Sequence, residues 1–134
     1  LAVIARLEAV AAVTALVGTR IYQGVLPQGG PFPAIRVQRI SEVQPMQLRG
    51  AIGIFSARVQ VDSVSDAGNA ISVATALDRA IYGTGAGSGL VGFKGAAGGY
   101  VIEGVFPGGV REGYDALELK QYRVMRDVMV WWKA

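Results

Sequence analysis

The chain of 134 residues contains no histidine and no cysteine. Without them there is no Ser-His-Asp triad, no cysteine nucleophile, no haem or iron–sulfur ligation and no conventional zinc site. No disulfide framework holds the fold either, which fits a reducing cytosol. Charge is sparse, at 17% of residues, and no run of basic residues appears. The net +3 is dispersed: residues 1–65 hold six arginines against three acids, and residues 66–134 balance seven against seven. A solvated surface explains this better than a nucleic-acid footprint. Long apolar runs are missing as well. The uncharged stretch 9–19 falls short of the roughly 20 residues that cross a bilayer, and no basic leader precedes it, so neither a membrane span nor a secretory signal is expected.

What is present is apolar: 51% of residues, enough to build one domain with a real core over residues 1–134. Val3, Leu7, Val10 and Ala11 recur at helical steps, predicting one amphipathic helix over 2–16 that stops at Gly18. Residues 24–33 hold three prolines and three glycines and read as a surface loop. The period then changes to two. Residues from Ala34 form a strand with a partly clean face, and Phe55, Ala57, Val59 and Val61 alternate cleanly with Ser56, Arg58, Gln60 and Asp62. That alternation describes an antiparallel strand packed on one side and wet on the other. Between the two lies a hairpin tip, 42–53, whose Met46, Leu48 and Ile52 need a partner.

Asp66 is the expected N-cap of a helix whose stripe is Ala67, Ala70, Ile71, Ala74, Leu77 and Ile81, small enough to lie close on the Phe55–Val61 face. Residues 83–99 read as a flexible glycine-rich connection with a short strand at 90–94. A strand is expected at 100–106, a polar loop at 107–116, and a long closing strand at 119–133. At about 3.3 Å per residue that strand would span roughly 45 to 50 Å, against a diameter near 35 Å for a compact chain of this size. It must bend at a bulge near Arg126 and Asp127 or project from the domain. The fold class is therefore α+β: a mostly antiparallel sheet of about four to five strands packed with two helices, with long projecting hairpins or loops.

Chemistry-bearing patterns are weak. Gly87, Gly89 and Gly92 have the spacing of a dinucleotide fingerprint, but a helix precedes them where a strand is required. Asp62 and Asp66 flank a presumed turn at 63–65 and suit a strand end and a helix cap better than a cation site. Glu112 and Asp115 beside Arg111 read as a solvated or interface patch. Arg36 and Arg39, like Arg123 and Arg126, fall on opposite faces of their strands, so no stacking platform for bases is formed. Trp131 and Trp132 adjoin: one faces the core, and the other is an interface candidate. No catalytic, cofactor or metal residues are expected, and the combination favours assembly over catalysis.

Several segments carry a resemblance: Val13-Thr14-Ala15-Leu16-Val17-Gly18-Thr19-Arg20-Ile21-Tyr22, then Val25-Leu26-Pro27-Gln28-Gly29, then Pro33-Ala34-Ile35 leading to Arg39-Ile40-Ser41. It continues in Ala57-Arg58-Val59-Gln60-Val61-Asp62, in Tyr122-Arg123-Val124 and at Trp131. In order and spacing the chain resembles the tail-completion, or tail-terminator, family of long-tailed bacteriophages and phage-like particles. The resemblance implies a structural virion protein, assembled in the bacterial host cytoplasm, that forms a homo-oligomeric, hexameric ring on the head-proximal end of the tail. There it would stop polymerisation of the tail-tube protein and meet a head-side neck or connector protein, with the genome passing through the lumen and no sequence-specific reading of nucleic acid. By position, Met46, Leu48 and Arg49 would touch a neighbouring subunit or the tube, and Arg111, Glu112 and Tyr114 would face a neighbour, with Trp131 as a further contact. The alternatives are a head-side neck or stopper protein, a small ligand-binding α+β module, and a metal-dependent hydrolase using carboxylates alone. The glycine-rich stretch 83–99 is longer than the family pattern, which leaves the strand pairing around it open.

Overall fold

The computed structural model describes residues 2–24, 33–43, 46–47, 50–51, 53–66, 70–83, 88–115 and 121–133. Helices α1 (Ala2–Glu8) and α2 (Ala11–Val17) open the chain, followed by strands β1 (Ile21–Gln23), β2 (Ala34–Val43), β3 (Met46–Gln47), β4 (Gly50–Ala51) and β5 (Ile54–Asp66). Helix α3 (Ala70–Tyr82) precedes β6 (Gly95–Ala97), β7 (Tyr100–Asp115) and β8 (Gln121–Lys133). Six strands form one mixed sheet in the order β1-β2-β5-β8-β7-β6, and β3 and β4 make a separate two-stranded hairpin. Only the β1–β2 pair is parallel.

The clean alternation of β5 sets the layers. Ala57, Val59 and Val61 are buried; Ala57 and Val59 pair opposite Val130 and Val128 of β8 on the same face, and Val61 pairs opposite Arg126. Onto this face pack Leu77 and Ile81 of α3 together with Val3, Leu7, Val13 and Val17 of α1 and α2. Of the expected helix stripe, Ala74, Leu77 and Ile81 are buried, while Ala67 lies outside the described residues; each fully buried large aliphatic side chain there contributes roughly 1.5 to 3 kcal/mol of transfer free energy.

Several expectations are corrected. The single helix over 2–16 is two: Val10 adopts an extended conformation (φ −89°, ψ 112°), and the Ala9 and Val10 amides bond back three residues to the Arg6 and Leu7 carbonyls. The break keeps Val10 buried while both short helices turn their apolar sides inward. The described sheet thus has three helices beside it, and six strands where four to five were expected. The added β1 is short, but Gly24 N donates to Val37 O and Ile35 N donates to Arg20 O, locking it onto β2. Asp66, expected as a helix cap, lies in β5 opposite Gln121, and residues 63–65, expected as a turn, are strand.

The glycine-rich connection is also not loose where it is described. Its strand lies at Gly95–Ala97 and not at 90–94, because Leu90 is fully buried and its amide donates to the Ile81 carbonyl at 2.7 Å. Arg6 reaches across to donate to Gly89 O at 3.1 Å and sits over the Phe93 ring. Most consequential is residues 107–116, expected as a loop: Pro107 to Asp115 continue β7 along β8. Proline and two glycines are tolerated because they fall where the register slips, between Pro107 and Val110, so the missing amide breaks no regular ladder.

Candidate assembly surface

All three helices lie on one face of the sheet. On the other, the polar members of the alternating strands meet across four strands. Arg36 of β2 donates from Nη1 to Asp62 Oδ2 of β5 at 3.3 Å, and Gln60 Nε2 donates to Asp62 Oδ1 at 2.8 Å. The Arg36 guanidinium also donates to Gln38 Oε1 and to the Gly24 carbonyl at the end of β1. Arg111 of β7 donates to Gln60 Oε1 at 3.4 Å and stands 3.9 Å from Asp127 Oδ1 of β8. Arg58 closes the row, donating to Asp127 Oδ2 at 2.6 Å.

This row has an asymmetry that matters for partners. The carboxylates are buried, at 1% for Asp62 and 8% for Asp127, whereas the Arg58 and Arg111 side chains are 53% and 62% exposed. The acids hold the guanidinium groups in place and the guanidinium groups meet the outside. Among the described residues Asp127 Oδ1 accepts no hydrogen bond. Its strand neighbour explains its depth: Gly108 sits in the β7 bulge opposite Asp127, where an added Cβ would lie 2.7 Å from the Asp127 carbonyl oxygen. The bulge expected in β8 near Arg126 and Asp127 is therefore in the partner strand, facing those residues.

The helix-bearing face carries a second polar pair. Arg126 donates from Nε and Nη2 to Asp78 Oδ1 and Oδ2 at 2.8 and 2.7 Å, a fork geometry, with both side chains largely buried and the guanidinium 4.7 Å over the Tyr82 ring. The hydrogen bond to Asp78 raises the Arg126 pKa above its ordinary value; burial opposes this and is outweighed. At the opposite end of the same face, a cleft of about 400 Å³ opens between α1 and the sheet, floored by Ala57, Val59 and Val130, with Trp132 stacked on Phe55 at 5.7 Å and the Arg39–Glu42 ion pair at its rim.

The residues singled out from the sequence fall as follows. Met46 lies on β3 opposite Ala51, while Leu48 and Arg49 lie outside the described residues. Arg111, Glu112 and Tyr114 are strand positions of β7 opposite Met125, Val124 and Tyr122, not loop positions. Trp131 is half-buried, opposite Ser56 and Gly104. Arg111 and Trp131 share the helix-free face but stand six positions apart along β8, so they form one surface and not one contact point.

Asp78, Arg126 and Asp127 were not picked out as partners. A signal existed for the first: Asp78 sits between Ala74 and Ile81 in the apolar stripe of α3, where an acid needs a buried cation. Among the described residues no cluster of three His, Cys, Asp or Glu side chains is placed to hold a metal ion, and no helix is long and apolar enough to cross a membrane.

Comparison with known proteins adds three findings. No curated protein sequence matches the chain. A solved structure described as the virion of a native gene transfer agent particle contains a chain of the same fold, with a TM-score of 0.71 at 21% identity, covering 99% of this chain and 92% of that one. The profile of the family Tail completion protein gp17 matches residues 1–131, and the chain belongs to that family.

Proposed function

We propose that the protein is a structural, non-enzymatic component of a phage-type tail: a terminator that forms a ring on the head-proximal end of the tail tube, stops its polymerisation and joins it to the neck. Family membership across nearly the whole chain carries this reading. The likeness to a chain of a phage-like virion particle supports a place in a virion, assembled in the host cytoplasm. The physical design agrees with it, since a sheet whose long strands β2 and β7 run past short edge strands with exposed apolar side chains, and whose guanidinium groups are held outward by buried acids, is equipped for contact and not for catalysis. A ring requires a heterologous interface, in which two different surfaces of each copy meet.

In this reading the tail-tube protein and a head-side neck protein are the partners, and hexameric symmetry is the expected closure. Met46, Leu48 and Arg49 contact a subunit or the tube; Arg111, Glu112, Tyr114 and Trp131 face a neighbour. Native mass spectrometry of the purified protein, alone and mixed with tail-tube protein, tests it. Six copies, formed alone or on addition of tube, are expected. A chain that stays monomeric with tube protein and instead binds the head-side connector would assign it to the neck.

A further inference from the structure

Among the described residues, the long strands β2 and β7 are only partly covered on their outer sides. β1 pairs with β2 only at Ile35, Arg36 and Val37, and β6 pairs with β7 only at Tyr100, Val101 and Ile102. Among the described residues, positions 38–43 of β2 and 103–115 of β7 have no strand on their outer side. The β7 edge is divided by the bulge between Pro107 and Val110, which leaves a regular run of six residues, 110–115; the six on β2, 38–43, include a register shift of their own between Arg39 and Ser41.

These two edges also carry apolar side chains that a monomer would hide. Ile40 and Val43 on β2 are 47% and 59% exposed, and Phe106 and Val110 on β7 are 55% and 45% exposed. Open edges of this kind template pairing with another chain unless they are blunted. Both runs carry both signs, Arg39 and Glu42 on β2 and Arg111 with Glu112 and Asp115 on β7, so neither edge meets the other as a block of like charge.

We infer that β2 of one copy pairs through residues 38–43 with residues 110–115 of β7 in a second copy, making the sheets of successive subunits one continuous antiparallel surface. The inference rests on the ring reading above and specifies how the ring is joined. Strand direction supplies the geometry. β2 and β7 run oppositely within the sheet. Copies related by rotation about an axis to which the strands are tilted therefore bring β2 against the neighbour's β7 as an antiparallel pair, with the same faces aligned. The two free runs sit at different heights, which the tilt and stagger of a closed sheet absorb. Because the edges differ, the contact is heterologous, the type that builds a ring when the rotation between copies closes, with backbone hydrogen bonds supplying the join as in strand addition.

The absence of native cysteine makes the test direct. Cysteines introduced together as Val43→Cys and Val110→Cys, bridged by a short bis-maleimide in the tube-bound assembly, should give a covalent ladder up to the full ring. A mixture of the two single variants should stop at dimers. A ring present by native mass spectrometry that yields no ladder overturns the edge pairing and leaves the ring reading standing; a chain that forms no ring with tube protein overturns both. A second variant separates folding from assembly. The ladder alternation turns the Glu42 amide outward, since Ser41 and Val43 pair inward with Arg58 and Ser56, so Glu42→Pro removes no internal backbone bond and, of side-chain bonds, the exposed Arg39–Glu42 ion pair, a surface contact of little weight. It should leave the melting transition of the monomer in place and abolish the ring; a ring that persists overturns the proposal.

Discussion

Arg126 on β8 and Asp78 on α3 face each other through two parallel hydrogen bonds of 2.8 and 2.7 Å, the one charged clamp between that helix and the sheet among the described residues. Removing one partner strands the other charge in a largely buried site. Asp78→Ala should therefore destabilise the fold by about 3 kcal/mol, within the range for broken buried pairs, whereas Asp78→Leu combined with Arg126→Met should recover most of the loss. Urea unfolding of the three proteins checks this. A double variant no more stable than Asp78→Ala would mean that the pair does more than neutralise itself.

The same pair sets a pH expectation. Asp78 raises the Arg126 pKa in the folded state above an already high ordinary value. A group whose pKa is raised on folding contributes stability that is complete below its unfolded value and fades only as pH climbs through the folded one. That window lies beyond the usable alkaline range. The stability difference between the parent protein and Arg126→Met should stay constant from about pH 7 to about pH 10, the alkaline span below the guanidinium's ordinary range. A difference that shrinks within that span would contradict the assignment.

The β7 bulge distinguishes two adjacent glycines. An added Cβ at Gly108 would lie 2.7 Å from the Asp127 carbonyl oxygen, whereas one at Gly109 meets nothing within 4 Å. Gly108→Ala forces β7 from β8 and should cost about 1 to 3 kcal/mol. Gly109→Ala should be neutral or slightly stabilising, by under about 1 kcal/mol, through loss of freedom in the unfolded chain. Thermal melts of the two variants would show the contrast.

Alternation carried most of the fold that was legible in the sequence. Phe55 to Asp62 and the run ending at Trp132 alternate with period two, and their core faces are as read. The α3 stripe of Ala74, Leu77 and Ile81 is equally plain, each fully buried. What misled was punctuation read locally. Pro107, Gly108 and Gly109 end a strand by propensity, yet the long β8 template holds β7 across them by slipping register. Conversely, nothing local in Ala9-Val10 announces a helix break; burial of Val10 between two helices imposes it. The charged row on the helix-free face was visible as separate residues but not as a network, because its links run between strands, with Arg58 and Asp127 lying 69 positions apart.

Arg111 offers a clean separation of stability from assembly. Its side chain is exposed and 3.9 Å from Asp127, so Arg111→Glu loses only a weak surface interaction, worth about 0 to 1 kcal/mol, and adds a like charge beside that acid. The monomer should remain folded by circular dichroism while ring formation with tube protein falls. Met46→Asp on the β3–β4 hairpin should behave in the same way. If both variants assemble and cap tubes like the parent, neither residue lies in an interface.

The adjacent tryptophans make the final contrast. Period two sends Trp132 and Trp131 to opposite faces of β8. Trp132 pairs between Phe55 and Ile102, stacks on Phe55 at an interplanar angle of 20° and packs against the core. Trp131 pairs between Ser56 and Gly104 on the face that also presents Phe106, Arg58 and Arg111. Truncating a packed aromatic removes transfer free energy and leaves a cavity, so Trp132→Ala should cost about 3 kcal/mol and lower the melting temperature of the isolated chain. A half-exposed tryptophan on a face that also presents exposed guanidinium groups has the chemistry of an interface anchor. Trp131→Ala should therefore cost the monomer under about 1 kcal/mol yet weaken assembly at least tenfold, which is about 1.4 kcal/mol of association free energy. Melting curves of the monomer and titration of ring formation separate the two effects, and equal losses of stability in both variants would move Trp131 from the contact surface into the core.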